Sequence, residues 1–281
     1  MNHLMYITKA DGGKELFEEE KLVDSLRRVG GSEELIASVV EKVESEMRDG
    51  MTTGEIYAHA FELLRQRSSH VAVKYSLRRA LSELGPNGFP FEKFIAEIFK
   101  TWGYQTLTDQ TVMGSCVPHE VDIVAWNPEK LIMVEAKFHN EFGIKSDVKV
   151  ALYVKARFDD IKGAIYDYGG IKREMTEGWL VTNTKFTDQA IRYGECKGLK
   201  MIGWNYPARG NLQQIIEGSG LHPFTCLSTL SNVHKRALLD RGILLCRDIK
   251  AQPAILKELG MDMAKANAVI DEINEVCGFH E

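Results

Sequence analysis

The stretch from His119 to Phe138 constrains this chain more than any other. Two runs of strand-forming residues, Val121-Asp122-Ile123-Val124-Ala125-Trp126 and Leu131-Ile132-Met133-Val134-Glu135-Ala136-Lys137-Phe138, flank Asn127-Pro128-Glu129-Lys130. Asn-Pro marks a turn, because proline presets φ and asparagine hydrogen-bonds its own backbone. The spacing predicts a β-hairpin centred on Pro128 and Glu129. In that register Asp122 lies opposite Glu135, and Glu120 opposite Lys137. Side chains two apart in a strand share a face. One face of the hairpin therefore gathers Glu120, Asp122, Glu135 and Lys137, and the other, with Ile132, Val134 and Ala136, is apolar. Two carboxylates directly across a strand pair repel each other, unless a cation stands between them. Hard divalent ions, Mg²⁺ above all, take such oxygen ligands. An ion held there acidifies bound water and shields charge on a phosphodiester. Lys137 can orient the water or steady the pentavalent phosphate. A solvated strand face with a Glu120–Lys137 ion pair is the alternative, but it gives no reason for Asp122 to face Glu135.

Before the hairpin, Phe91, Phe94, Ile95, Ile98, Phe99 and Trp102 make one apolar stripe at helical spacing, and Gly103 ends it. Glu92 borders that stripe and can reach a site between helix and sheet, whereas Glu97 points away. After the hairpin, residues 145–160 read as a helix. Val148, Leu152 and Phe158 sketch its apolar side, with Lys145, Lys149, Lys155 and Arg157 elsewhere. His119 and His139 read as strand-end histidines rather than general bases.

The Val121-Asp122 and Glu135-Ala136-Lys137 pair resembles the PD-(D/E)XK nuclease superfamily, and more narrowly the Mrr-type restriction endonucleases. The opening helix of that family is matched by Gly88-Phe89-Pro90-Phe91-Glu92 through Trp102-Gly103-Tyr104. Its later strand–helix–strand is matched by Trp179 through Thr187, Ala190, and Gly198 through Trp204. One departure is Cys116-Val117-Pro118-His119-Glu120, where many relatives carry a glycine-rich approach. The resemblance implies a restriction-endonuclease-like α/β core with a mixed sheet over residues 88–217. It also implies Mg²⁺-dependent hydrolysis of DNA, with Asp122 and Glu135 holding metal, Lys137 positioning water or phosphate, and Glu92 assisting.

The first third reads as a β-hairpin and four helices. Leu4-Met5-Tyr6-Ile7 and Leu16-Phe17 are strand patterns around an Asp11-Gly12 turn. Helices come next over 19–28, 33–48, 53–67 and 69–84, the third opened by a Thr52/Glu55 capping box. Tyr6 through Gly12, Phe17, Glu20-Lys21-Leu22-Val23, Thr53-Gly54-Glu55-Ile56, Val71-Ala72 and Tyr75 resemble the ATP-cone, the nucleotide-sensing module of ribonucleotide reductases and their repressor. Ala10 replaces a frequent arginine. The resemblance implies that Lys9 and Lys21 hold nucleotide phosphates and that Thr53 and Tyr57 line the same ATP or dATP site. Two ammonium groups near a helix N-terminus suit an anion.

Breaks at Gly85-Pro86-Asn87-Gly88 and Gly218-Ser219-Gly220 divide the chain into residues 1–85, 88–217 and 221–281. The last part reads as a small helical domain with helices over 228–240, 246–250, 253–259 and 264–277. Leu256 through Asp262 resembles half of a helix–hairpin–helix, but Asp262 puts a carboxylate where a phosphate would sit. A packing or dimerisation role fits that turn at least as well.

The 281 residues carry 35 Lys+Arg against 40 Asp+Glu, and each third is mildly acidic, so any nucleic-acid contact must come from a local patch. Lysines between 137 and 200 are the candidate. No apolar run approaches the ~18 residues of a membrane span, and the start does not read as a secretory signal. The five cysteines are scattered, odd in number and lack CxxC spacing, so neither a zinc knuckle nor a disulfide framework is indicated, and a reducing cytoplasm fits best. No Gly-x-x-x-x-Gly-Lys-[Ser/Thr] loop is present, so nucleotide would regulate rather than fuel the reaction. The expectation is a homo-oligomeric, nucleotide-responsive DNA endonuclease. A non-catalytic DNA-binding regulator on a retired nuclease core is the rival, and RNA is a third possible substrate.

Overall fold

The computed structural model describes residues 5–9, 12–141 and 143–278. At the front, β1 (Tyr6–Thr8) and β2 (Lys14–Leu16) pair antiparallel with Ile7 opposite Glu15. Asp11 of the expected turn, like Leu4 of the expected strand, lies outside the described residues. Four helices come next: α1 (Glu19–Arg28), α2 (Glu33–Glu46), α3 (Thr53–Arg67) and α4 (Ser69–Ser82). Ser32 caps α2, and the Thr52/Glu55 capping box opens α3 as its sequence requires. Leu22, Leu26, Val39, Val43, Ala60 and Leu64 close a core of their own.

Helix α4 belongs to more than one core. Val71 and Ala72 face the N-terminal core, Val73 and Ala80 the C-terminal one, and Leu77 and Leu81 the central one. A helix apolar on several sides is buried on several sides. The Gly85–Gly88 break therefore turns the chain without detaching the N-terminal helices from the central part.

The central part opens with α5 (Phe89–Thr101), whose Phe91, Phe94, Ile95, Ile98 and Phe99 are buried. Then come β3 (Gln105–Met113), β4 (Pro118–Trp126) and β5 (Leu131–Lys137). The two-residue β6 (Lys145–Ser146) leads into α6 (Val148–Ile161). A hairpin, β7 (Ile165–Tyr168) and β8 (Ile171–Glu174), turns at Gly169-Gly170, both in the left-handed region that favours glycine. The chain continues through β9 (Glu177–Thr182), β10 (Lys185–Phe186), α7 (Asp188–Lys197), β11 (Lys200–Ile202) and α8 (Leu212–Ser219). The main sheet has the order β11-β9-β5-β4-β3. β3, β4 and β5 run antiparallel, and β5, β9 and β11 parallel.

Two expectations are corrected here. The β4–β5 hairpin is not polar on one face and apolar on the other. Ile132, Val134 and Ala136 pack on the α5 side, while Leu131 and Met133 pack on the α6 side. A central strand of a sheet covered by helices on both faces is apolar throughout its body. The helix expected from residue 145 starts at Val148, because Asp147 caps it by accepting from the Lys149 and Val150 amides. Its buried stripe is Ala151, Val154, Phe158 and Ile161, and Leu152 is exposed.

The C-terminal part holds a short 3₁₀ turn at Phe224–Cys226, then α9 (Asn232–Asp240), α10 (Cys246–Ala251), α11 (Ala254–Glu258) and α12 (Met263–Cys277). Helix α9 starts four residues later than expected, where Ser231 caps it. Asp262 caps α12 through the Lys265 amide at 2.8 Å. Its carboxylate is thus committed to the helix it begins. Cys226 and Cys246, distant in sequence, share this core, and Cys277 packs against it. Among the described residues no helix is long and apolar enough to cross a membrane.

Candidate active site

The predicted hairpin register holds. Ile123 pairs with Val134, Val124 with Met133, Ala125 with Ile132 and Trp126 with Leu131. Asn127 closes the turn, its Oδ1 accepting from the Glu129 and Lys130 amides at 3.0 and 2.8 Å. Beyond Ile123 and Val134 the ladder stops. β4 continues with β3, while Glu135, Ala136 and Lys137 pair with Leu180, Val181 and Thr182 of β9. The two strands part at the pair that sequence placed face to face, and the opposition of Glu120 to Lys137 is lost with them.

The fork opens a cleft of about 320 Å³, lined by Glu92, Asp122, Glu135, Lys137, Gly88 and Phe138 among others. All four expected catalytic residues therefore line one cleft. Asp122 Oδ2 accepts from the Ala136 amide at 2.8 Å. Glu135 Oε2 accepts from Arg157 Nη1 of α6. The second oxygen of each carboxylate has no hydrogen-bond partner among the described residues. Burial raises the Glu135 carboxyl to about 7, with the Asp122 charge adding to the rise and Arg157 opposing it. Burial also raises Asp122, opposed by the Ala136 amide and Arg157. Glu92 is pushed up to about 7 by burial and then by Asp122, Asp109 and Glu135. Carboxylates that lift one another in this way favour a cation in their midst. Hard oxygen donors with one free oxygen each suit a hydrated divalent ion. Among the described residues no three His, Cys, Asp or Glu side chains converge closely enough to hold an ion by themselves. An ion at the fork would draw on the two strand carboxylates, with water completing its shell.

Two residues of this site escape the sequence reading. Arg157 is buried and aims at Glu135, not at solvent with the neighbouring lysines. Its signal is position: it falls three after Val154 and four before Ile161, an arginine inside an apolar stripe. Asp109 is the other. Among the described residues it is the only non-glycine with positive φ, at 55°. Thr108 pairs with Ile123 and Gln110 with Val121, so Asp109 sits opposite Asp122 where the ladder skips. Asp122 is thus unpaired toward both neighbouring strands.

Buried polar groups brace the end of β5. Asn183 Oδ1 accepts from the His139 amide at 2.9 Å, and Asn183 Nδ2 donates to the His139 carbonyl at 2.7 Å. His139 Nε2 lies 3.1 Å from Ser146 Oγ, which donates to Thr182 Oγ1 at 3.2 Å. His119 ties β4 to α6, with Nε2 2.7 Å from Asp160 Oδ2.

In the N-terminal part, Lys21, Thr53 and Tyr57 line a cavity of about 150 Å³ with Glu15, Glu18 and Tyr75. Thr8 bridges to Thr52, which sets the start of α3 beside the hairpin. Lys9 does not line the cavity, and its ammonium lies 2.6 Å from Glu15. Lys21 lies 2.9 Å from Glu18 and 3.6 Å from Glu15. Tyr57 stacks on Tyr75 with ring centroids 4.9 Å apart, and burial raises its hydroxyl. A cleft of about 780 Å³ between residues 83–90 and α9 holds none of the expected site residues.

Comparison with known proteins places these features. Residues 5–84 match the ATP cone domain, residues 86–205 the restriction endonuclease family, and residues 222–277 the AF1548-like C-terminal family. An uncharacterized protein of Archaeoglobus fulgidus is 35% identical over 185 residues, which are 66% of this chain and 100% of the relative. The chain belongs to the AF1548-like family. The crystal structure of AF1548, a protein of unknown function, is 33% identical to it with a TM-score of 0.55, covering 69% of this chain and 100% of that one. The restriction endonuclease MspJI, solved with a 27-mer oligonucleotide, shares 14% identity at a TM-score of 0.31 over 75% of this chain and 44% of its own. This AF1548-like chain thus joins an ATP-cone, a restriction-endonuclease-type domain of mixed α/β fold, and a helical C-terminal domain.

Proposed function

We propose that this protein is a Mg²⁺-dependent DNA endonuclease whose ATP-cone responds to ATP or dATP. The observation that carries the reading is the fork itself: Glu92, Asp122, Glu135 and Lys137 line one cleft in a domain of the restriction endonuclease family. A hard divalent ion held by Asp122 and Glu135 would supply an acidified water and charge neutralisation for phosphodiester hydrolysis. Arg157 and the Ala136 amide each occupy one oxygen of these carboxylates, which fixes the direction of the free one. Lys137, exposed at the cleft, holds its ammonium where it can orient the incoming water or balance charge on the phosphate. Glu92 sits near neutrality and can hold or release a proton there. In the cone, Lys21, Thr53 and Tyr57 surround the candidate nucleotide cavity, and Lys9 reaches it by exchanging Glu15 for phosphate.

Supercoiled plasmid incubated with protein and Mg²⁺ tests this. Wild type should nick or linearise it, and Asp122→Ala should not. Cleavage that survives in the variant refutes the assignment of the site. A second reading, a nuclease core retired to DNA binding, draws on the Arg157–Glu135 ion pair, which already neutralises one carboxylate. No cleavage by wild type with retained DNA binding would select it. Repeating the assay with RNA, and with ATP or dATP present, assigns the sugar and the sign of control. Sedimentation with each nucleotide reads the expected homo-oligomer.

A further inference from the structure

The N-terminal and central parts meet along a second cavity, about 270 Å³, which shares Tyr57 and Tyr75 with the cone cavity. Its walls carry Arg28 from α1, Lys74, Arg78 and Arg79 from α4, and Lys185 from β10. No Asp or Glu among the described residues lines it, in a chain whose formal net charge is −5. Arg79 is partly neutralised, with its Nε 3.0 Å from Glu83 and its guanidinium over the Tyr57 ring. Arg28, Lys74 and Lys185 form no ion pair among the described residues. Burial lowers Lys185, and Arg78, Arg28 and Lys145 lower it further. Cations gathered this closely repel one another, and an anion reverses the sign of that interaction.

We infer that this seam is a binding site for an oligophosphate, such as the phosphate chain of a nucleoside triphosphate, that bridges the ATP-cone to the nuclease-type domain. The volume lies below the ~300–1,000 Å³ of drug-sized ligand sites, which suits a compact chain of phosphates better than a length of nucleic acid. Arginine forks and lysine ammonium groups are the side chains that hold such oxygens. The site shares Tyr57 and Tyr75 with the cone cavity but not its charges, since Lys21, which lines the cone cavity, is balanced there by Glu15 and Glu18. It also has a connection to the cleft. Lys185 comes directly after the buried Thr182–Thr184 turn, Thr184 accepts from the Trp204 amide at 2.8 Å, and β10 pairs with β6, whose Ser146 bonds Thr182. An oligophosphate held from both sides of the seam therefore pulls on the segment that braces the end of β5. The inference does not rest on catalysis at the fork.

Calorimetric titration of the full chain with inorganic tripolyphosphate, at physiological salt, tests it. Wild type should bind. Arg28→Gln and Lys185→Gln should each weaken binding about tenfold, and the double variant should weaken it further, while Lys21→Gln retains the seam affinity. Melting supplies the second readout. Without ligand the double variant should melt at or above wild type, since repulsion is relieved. With tripolyphosphate the order should reverse. Equal affinity in wild type and the double variant overturns the site, as does an absence of tripolyphosphate binding to wild type. Loss of single-stranded oligonucleotide binding in these variants, with tripolyphosphate inert, overturns it in favour of a nucleic-acid track.

Discussion

Replacing Arg157 with Met tests the physics of the fork before any catalysis is measured. The Arg157 side chain is 8% exposed and that of Glu135 is 16% exposed, so both charges are largely withdrawn from water. Removing one partner of a buried pair costs ~3–5 kcal/mol, because the other charge is left uncompensated. Glu135 lines an open cleft, so the lower end applies, about 3 kcal/mol, in melts run at about pH 9, well above its value of about 7. At neutral pH Glu135 takes up a proton instead and the loss shrinks. For a domain of this size the full loss lowers the melting temperature by about 6–12 °C. All four tryptophans, Trp102, Trp126, Trp179 and Trp204, lie in the central part, so intrinsic fluorescence tracks the unfolding of that domain. The double variant Arg157→Met/Glu135→Gln removes the stranded charge and should recover more than half of the loss. An Arg157→Met protein within about 1 kcal/mol of wild type, or a double variant no more stable than the single one, refutes the claim that this pair is a buried electrostatic couple.

At Gly178 an added Cβ would lie 2.8 Å from Phe158 Cγ, so Gly178→Ala should destabilise the central domain by ~1–3 kcal/mol in urea melts, and no change would mean that α6 can shift off β9. Asp160 is held down to about 2, first by His119 and then by Cys116. Its folded value lies below the unfolded one, so its contribution is present above about pH 4 and fades as pH falls through 2; the melting-temperature gap between wild type and Asp160→Asn should therefore be widest near neutrality and close under acid. Asn183→Ala strips both backbone partners of His139, and should cost ~2–4 kcal/mol and reduce plasmid cleavage even at saturating Mg²⁺. Asp109→Gly should raise stability by up to ~1 kcal/mol and Asp109→Ala should lower it by a similar amount, since only glycine adopts this φ freely; equal stabilities would show that the left-handed backbone carries no strain.

Much of this is legible in the sequence because it depends on local pattern. The Asn127 turn sets the register, and four pairs hold it. The Thr52/Glu55 box places the start of α3, and the aromatic stripe places α5. The departures have a common cause, which is tertiary context. Period-two alternation cannot report that helices cover both sheet faces, so it assigns Leu131 and Met133 to a polar side. An apolar stripe of α6 drawn through Leu152 leaves Arg157 off the buried side, and the fold buries it instead. Asp109 carries no local mark at all. Only pairing across 13 residues, from Thr108–Ile123 to Gln110–Val121, sets it opposite Asp122. The loss of the Glu120–Lys137 opposition is of the same kind, since a hairpin register says nothing about which neighbour a strand end prefers.

That preference explains why the carboxylates sit where they do. A continuous ladder through Asp122 and Glu135 would bury two like charges side by side, at a cost that cross-strand pairing cannot offset. β4 instead keeps β3 and β5 keeps β9, so the carboxylates leave the ladder and gain a cleft. The backbone groups freed by the fork are then re-used: the Ala136 amide donates to Asp122. Arg157 enters from one sheet face and Glu92 from the other, which is possible only where the sheet has opened. The same opening leaves the end of β5 without β4 beside it, and Asn183, Ser146 and Thr182 take over as its braces. Lys185 sits two residues past Asn183, so the seam that gathers cations from α1 and α4 borders the element that braces the end of β5. A ligand that draws α4 and β10 together acts on that brace directly, with no need to reach the carboxylates.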